Sequence, residues 1–501
     1  MYQYSVESTF EAKVAVGSVD PILSAIAFAQ TMRARFVPEL KEFIRFSSIS
    51  AQPQHDHDMK KCAAWLASHL RKIELEHVQI TSTRGHPLVY ADWLHTPDRP
   101  TVLIYGHYDV QPAEPFDKWR SPPFEPVVHG NDLYGRGASD DKGQMFAHIK
   151  ALESCLRATG RLPVNVKCLF EGEEEVGSPN FQPFLAANKK ALAADVVVVS
   201  DTAMLDRNRP AITSSMRGSL SLELEVNGAE VDLHDGLFGG AVHNPLKGLC
   251  DIIAGLQTSG GRITIPGFYD RVRDVSSEER AYMKSSGPDN DQILSNARTS
   301  RAWGEPAYTL YERTTIRPSL TVSGLAGGYQ GPGPKSIIPA RAGAKLNFRL
   351  VPDQNPLEIG QLVRRHIARL TPFTLRSTLK MQLAADPVIV DRGHPLIRAA
   401  AVAANKGFGV PPVFVRSGGT NPAVAAFHRT LGVPTALVGF GLPDDHIHAP
   451  NEKFHLPNFH KGIATAIWFL HEVAAKQAGV VNANLMHNQE KRLMTAGIGK
   501  S

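Results

Sequence analysis

Three short apolar runs in this chain each end in residues able to hold a cation or move a proton. The run at 101–105 (TVLIY) leads into Gly106-His107-Tyr108-Asp109, and the run at 164–170 (VNVKCLF) into Glu171-Gly172-Glu173-Glu174-Glu175. The run at 195–200 (DVVVVS) leads into Asp201. Imidazoles and carboxylates suit zinc, manganese or cobalt. In an open α/β sheet, ligands gather beyond the carboxyl ends of the strands, so the three runs would deliver these groups to one edge. His107-x-Asp109 fits a metal-bound imidazole whose other nitrogen is held by a carboxylate, although a plain surface turn has the same spacing. Adjacent glutamates after a buried strand can divide roles, one binding metal while the next accepts a proton from water. The turn Gly177-Ser178-Pro179 directly behind them argues against a solvated acidic loop. Asp140-Asp141 follows the glycine-rich Tyr134-Gly135-Arg136-Gly137 and precedes a helical stretch. One of the two could simply cap that helix; one could equally bridge two cations. His446-x-His448 offers the second imidazole that the other groups lack.

Two further clusters look chemical and are read otherwise. His55-Asp56-His57-Asp58 precedes a helix, with Asp56 or Asp58 as its N-cap. The glycines of 324–333 have no Lys-Ser/Thr at phosphate-loop spacing, so that stretch is expected to be a mobile loop.

The elements that must position these residues follow from periodicity. Helical spacing marks 21–46, with Asp20-Pro21 as N-cap and first-turn proline, and recurs at 58–75, 143–156 and 459–475. Buried strands alternating with helices give an α/β catalytic domain, expected as a mixed sheet flanked by helices. Near residue 213 the texture changes. Residues 219–226 (SLSLELEV), 318–324 and 341–351 alternate with period two and 356–370 is helical, which predicts a small α+β domain inserted into the larger one. The expected divisions are an N-terminal extension at 1–20, catalytic domain parts at 21–213 and 388–480, an inserted lid or dimerisation domain at 214–387, and a C-terminal tail at 481–501.

The chain has 501 residues, 43% hydrophobic and 21% charged, enough for two or three domains with a large core. A net charge of +5 with no basic block speaks against nucleic acid or an anionic membrane as the main partner. Cys62, Cys155, Cys168 and Cys250 form no C-x-x-C, which fits reduced thiols and leaves His and carboxylates as the ligands. The N-terminal residues lack a signal-peptide pattern and no apolar run could span a bilayer, so a cytoplasmic protein is expected.

The motifs GHYDVQP (106–112), YGRGASDDKG (134–143), FEGEEEVGS (170–178), VVSDT (198–202), LHDGLFGGAVHNP (233–245), KSIIPARAGAKLNFRLVP (335–352), RSGGTNP (416–422) and DDHIHAPNEKF (444–454) resemble those of the co-catalytic zinc peptidases. That family includes carnosinase, cytosolic non-specific dipeptidase, carboxypeptidase G, aminoacylase and succinyl-diaminopimelate desuccinylase. The resemblance spans about 22–478 and is strongest to the carnosinase and non-specific dipeptidase branch. It implies two divalent cations, zinc by family default with manganese or cobalt as alternatives. His107 and Asp201 would bind one, Glu175 and His448 the other, and Asp140 both. It further implies that Asp109 orients His107, that Glu174 is the general base, and that the Asp140–Asp141 peptide is cis. His234 would reach a partner subunit's active site to polarise the scissile carbonyl, which requires a homodimer through the inserted domain. Arg349 would clamp the substrate carboxylate with Ser336 and Thr420 beside it; relatives carry serine at the position of Thr420. The implied reaction is hydrolysis of dipeptides or short peptides. The alternative is an N-acyl amino acid amidohydrolase with the same centre. A non-catalytic descendant would have lost a ligand or the base, and a structural interaction module gives no reason for ligands at strand ends.

Overall fold

The computed structural model describes residues 20–496, with side chains through 476. The expected N-terminal extension, apart from Asp20, lies outside the described residues. Continuous apolar runs form the middle of a nine-stranded sheet. There Asn165–Glu171, Thr101–His107, Val196–Val199 and Thr435–Val438 lie side by side and parallel. Antiparallel neighbours flank this block, Leu88–Trp93 and Glu76–Thr81 on one side and Ala211–Met216 on the other, so the sheet is mixed. The parallel strands are buried almost throughout, as sheets covered on both faces require.

The helix Lys142–Thr159 is buried from Lys142 to Leu156 and ends at Gly160, whose φ of 70° gives the left-handed cap. Asp20 caps the first helix, Pro21–Thr31, by accepting from the Ile22 N–H. That helix is separate from Arg33–Ile44, with Met32 between them at φ −88° and ψ 5°. The apolar periodicity runs through the break, so the sequence reads as one helix. The last helix, Leu456–Ala496, continues through most of the stretch expected as a tail. Among the described residues, no helix is long and apolar enough to cross a membrane.

The chain leaves the large sheet after Met216 and re-enters it at Val388, which pairs with Met216. Between these points lies a four-stranded antiparallel sheet in the order Ser319–Gly327, Arg341–Leu350, Gly218–Asn227, Arg376–Ala385. Its alternate residues Leu220, Leu222, Leu224, Leu346 and Phe348 form a second core with Val363 and Ile367. The latter two come from the helix Pro356–Leu370, which Asn355 caps and Pro356 opens. The glycine-rich stretch expected as a loop is in part strand: Ser319–Gly327 takes in Gly324 and Gly327, with an irregularity in register between Val322 and Gly324. Cross-strand pairing with Arg341–Leu350 overrides the low strand propensity of glycine there.

Candidate metal centre

His107 is the last residue of its strand and is fully buried. Its Nδ1 lies 3.1 Å from the Asp109 carbonyl oxygen and 3.4 Å from that residue's carboxylate. The backbone is therefore the nearer partner of the ring. The Asp109 carboxylate also accepts from the Ser50 hydroxyl at 2.6 Å and from the N–H groups of Glu174 and Glu175 at 3.3 and 3.1 Å. One buried side chain thus fixes both the histidine and the glutamate turn.

His107 Nε2 lies 3.1 Å from Asp140 Oδ1, and His448 Nε2 lies 2.9 Å from Asp140 Oδ2. Asp201 Oδ2 is 4.0 Å from His107 Nε2, and Glu175 Oε2 is 3.2 Å from His448 Nε2. The result is two three-residue groups, His107/Asp140/Asp201 and Asp140/Glu175/His448, each with potential ligand atoms within 4.8 Å of one another. They share Asp140, one carboxylate oxygen facing each imidazole. The Asp140–Asp141 peptide is cis. Asp141 precedes the helix without a side-chain capping bond and instead accepts from the His107 N–H at 3.3 Å.

Several residues that hold this arrangement carried no signal of their own in the sequence reading. The fully buried Glu452 accepts from the N–H groups of Gly137 (2.9 Å), Ser139 (2.9 Å) and Asp140 (3.0 Å), and from Arg136 Nη1 (2.8 Å). It shapes the turn that delivers Asp140. Asp445 accepts from the Ser139 hydroxyl at 2.7 Å and the Leu442 N–H at 2.7 Å, anchoring the loop that carries His448. Gln111 donates to Glu175 at 2.8 Å and Asn421 to Asp201 at 2.8 Å. All four lie inside the motifs at 106–112, 416–422 and 444–454, Glu452 four residues after His448, so membership of a motif is the one signal that marks them.

Charge is concentrated here. Burial, and then the charge of Asp140, push the Asp201 and Glu175 carboxyls up, Asp201 to about 7. Burial likewise pushes Glu174 well above the ordinary range, with His107 opposing. Asp140 and Glu175 raise the His448 imidazole to about 11. Against the upward push of burial, His107 and His448 hold Asp140 far below the usual carboxylate range. His107 Nε2 and Glu175 Oε1 are buried without a hydrogen bond. Four crowded carboxylates, two imidazoles and these unpaired ligand-type atoms fit a pair of divalent cations. Glu174 makes no side-chain hydrogen bond among the described residues; its backbone N–H donates to Asp109.

The substrate-binding expectations separate. Arg349 donates to the Thr420 hydroxyl at 2.6 Å, next to Asn421 and thus near Asp201. His234 sits elsewhere, on the short ladder that pairs Leu233–His234 with Ile337–Ile338, and Ser336 directly precedes that ladder. Both are exposed, and neither hydrogen-bonds or ion-pairs with the two groups among the described residues. Among the described residues, the run at 55–58 forms no metal-type group. Its N-cap is His55 rather than an aspartate, and Asp58 accepts from Ser47 at 2.9 Å. His446 is exposed.

Comparison with known proteins agrees with this geometry. The family model "Peptidase family M20/M25/M40" matches residues 103–471. The Cys-Gly metallodipeptidase dug1 of Schizosaccharomyces pombe is 33% identical over 397 residues, covering 78% of this chain and 83% of its own. The human Beta-Ala-His dipeptidase is 31% identical over 458 residues, covering 88% and 90%. Among solved structures, human carnosine dipeptidase 1 superposes with a TM-score of 0.80 at 29% identity, covering 91% of this chain and 99% of that one. The di-peptidase Dug1p from Saccharomyces cerevisiae gives 0.80 at 26%, covering 91% and 98%. The chain is therefore a metallopeptidase of the M20/M25/M40 family, in the branch that holds carnosinase and the Cys-Gly dipeptidases.

Proposed function

We propose that this enzyme hydrolyses dipeptides or short peptides with a free carboxylate, using two divalent cations held by His107, Asp140, Glu175, Asp201 and His448. The observation that carries the reading is Asp140, whose two oxygens face different imidazoles at 3.1 and 2.9 Å. Two such cations, when bound, acidify a water and polarise the scissile carbonyl. Zinc suits the donor set, and manganese or cobalt also fit it. Glu174 accepts the proton of the attacking water and returns it to the leaving amine. Its closeness to His107, Asp201, Glu175 and Asp140 and its lack of a side-chain hydrogen-bond partner among the described residues support that role. Arg349, steadied by Thr420, holds the substrate carboxylate, and Ser336, whose carbonyl accepts from the Asp235 N–H beside His234, reaches it from the second subunit together with His234.

His234, exposed on the smaller sheet's side of the chain, acts in a second subunit's site, so the active form is a homodimer through residues 214–387. Its Nδ1 accepts from the Gly236 N–H at 3.0 Å, which leaves Nε2 to face a carbonyl oxygen. Free thiols at all four cysteines support a reducing, cytoplasmic setting. The test is Glu174→Gln: turnover of dipeptides falls by about 10²-fold or more while bound metal is unchanged. Activity above a few per cent would remove the base assignment. A parallel screen of dipeptides against N-acyl amino acids separates peptidase from deacylase.

A further inference from the structure

Most arginines around the junction of the two sheets have a carboxylate partner. Arg317 pairs with Glu305 at 2.8 Å, Arg416 with Glu279 at 3.0 Å and Arg280 with Glu312 at 2.6 Å. Arg217 and Arg349 are exceptions. Both are half-buried, and among the described residues neither has an acidic group within ion-pairing distance. Arg217 donates only to neutral acceptors: the Gly418 carbonyl at 3.1 Å, the Arg317 carbonyl at 3.3 Å and the Ser319 hydroxyl at 3.2 Å.

The two cations share one neighbourhood. Ser319 is the cross-strand partner of Arg349, so the Arg217 guanidinium reaches under the strand that carries Arg349. Thr420 joins them, accepting from Arg349 Nη1 at 2.6 Å and donating to the Arg217 carbonyl at 2.6 Å. Burial and then the charge of Arg349 pull Arg217 down to about 10. Gly418 keeps the approach open, because a Cβ there would lie 2.5 Å from the Thr314 carbonyl and 3.1 Å from Arg217 Nη2. The next residue after Thr420, Asn421, holds Asp201. Two partly desolvated cations with no counter-charge are costly in the free protein, and a bound anion removes that cost.

We propose that Arg217 is the second cation of the substrate-carboxylate site and, with Arg349, makes the enzyme select peptides with an ionised C-terminus over the corresponding C-terminal amides. This deepens the peptidase reading and rests on it.

The experiment compares kcat/KM for one dipeptide and its C-terminal amide in wild type, Arg217→Gln and Arg217→Lys, with melting curves for each. Wild type prefers the acid by at least about tenfold. Arg217→Gln lowers that preference by about tenfold, mainly through KM, and Arg217→Lys restores part of it. A purely structural arginine would lower both substrates equally and leave the ratio unchanged, which overturns the proposal. Equal rates on acid and amide in wild type overturn it and the carboxylate role of Arg349, while leaving metal-dependent peptide hydrolysis intact. Failure to hydrolyse any dipeptide in the presence of zinc or manganese overturns both.

Discussion

Replacing Glu452 with glutamine should damage the proposed metal centre without touching any of its proposed ligands. The Glu452 carboxylate has two faces. Oε1 accepts from the N–H groups of Ser139 and Asp140, and Oε2 from Arg136 and the Gly137 N–H. A glutamine keeps the shape but turns one face into a donor. The less costly orientation leaves its oxygen on the buried Arg136 and sets its NH₂ against the Ser139 and Asp140 N–H groups. Two buried donors then lose their acceptor, at about 1–3 kcal/mol each, so stability should fall by about 2–6 kcal/mol. Because Asp140 is one of those two residues, its carboxylate shifts relative to both imidazoles, and kcat/KM should fall about 10- to 100-fold. The assays are denaturant midpoints of the chelator-treated protein and peptidase kinetics with saturating metal. A midpoint change below about 0.5 kcal/mol together with kcat/KM within twofold would refute the idea that this carboxylate shapes the Asp140 turn.

His69 should make stability fall in acid. It is buried against Lys150, whose ammonium donates to His69 Nε2 at 2.7 Å, and burial and then that charge pull the imidazole down to about 3. The folded state therefore keeps His69 neutral while the unfolded chain protonates it below its ordinary value, so this contribution is intact above about pH 6.5 and is lost as pH falls. Between pH 6.5 and 5 the wild type should lose roughly 1.5 kcal/mol more than His69→Gln, measured by denaturant titration, and parallel curves would contradict the assignment. Asn421 has two tasks, donating to Asp201 and accepting from the Val424 N–H at 3.0 Å as a helix cap. Asn421→Ala should cost about 1 kcal/mol of stability and about tenfold in kcat/KM; a loss of stability alone would show that Asp201 needs no such anchor.

The sequence carried what short-range chemistry writes into it. Strands buried on both faces read as unbroken apolar runs, so the positions of His107, the glutamate run and Asp201 at strand ends were legible, and the alternation at 219–226 marked a second kind of sheet. The supports were not legible. Glu452 and Asp445 act on backbone N–H groups and hydroxyls some three hundred residues away, as in the bonds from Ser139, and a carboxylate that binds backbone leaves no local pattern. The break at Met32 was hidden because apolar spacing passes through it. Of the glycine-rich 324–333, residues through Gly327 belong to a strand that local sequence does not mark, because pairing across a sheet is non-local. Nothing in its local sequence separates Lys150 from an exposed helical lysine, yet it is buried and held by Glu39, His69 and Glu153.

Metal content of the purified protein beside that of Asp140→Ala bears most directly on the shared-carboxylate centre. Elemental analysis after dialysis against zinc should give about two ions per chain in wild type and, with the common ligand gone, weakened retention of both, well below one ion in total. Two ions retained by Asp140→Ala, or a wild type that saturates at one, would contradict a centre built on a single bridging carboxylate.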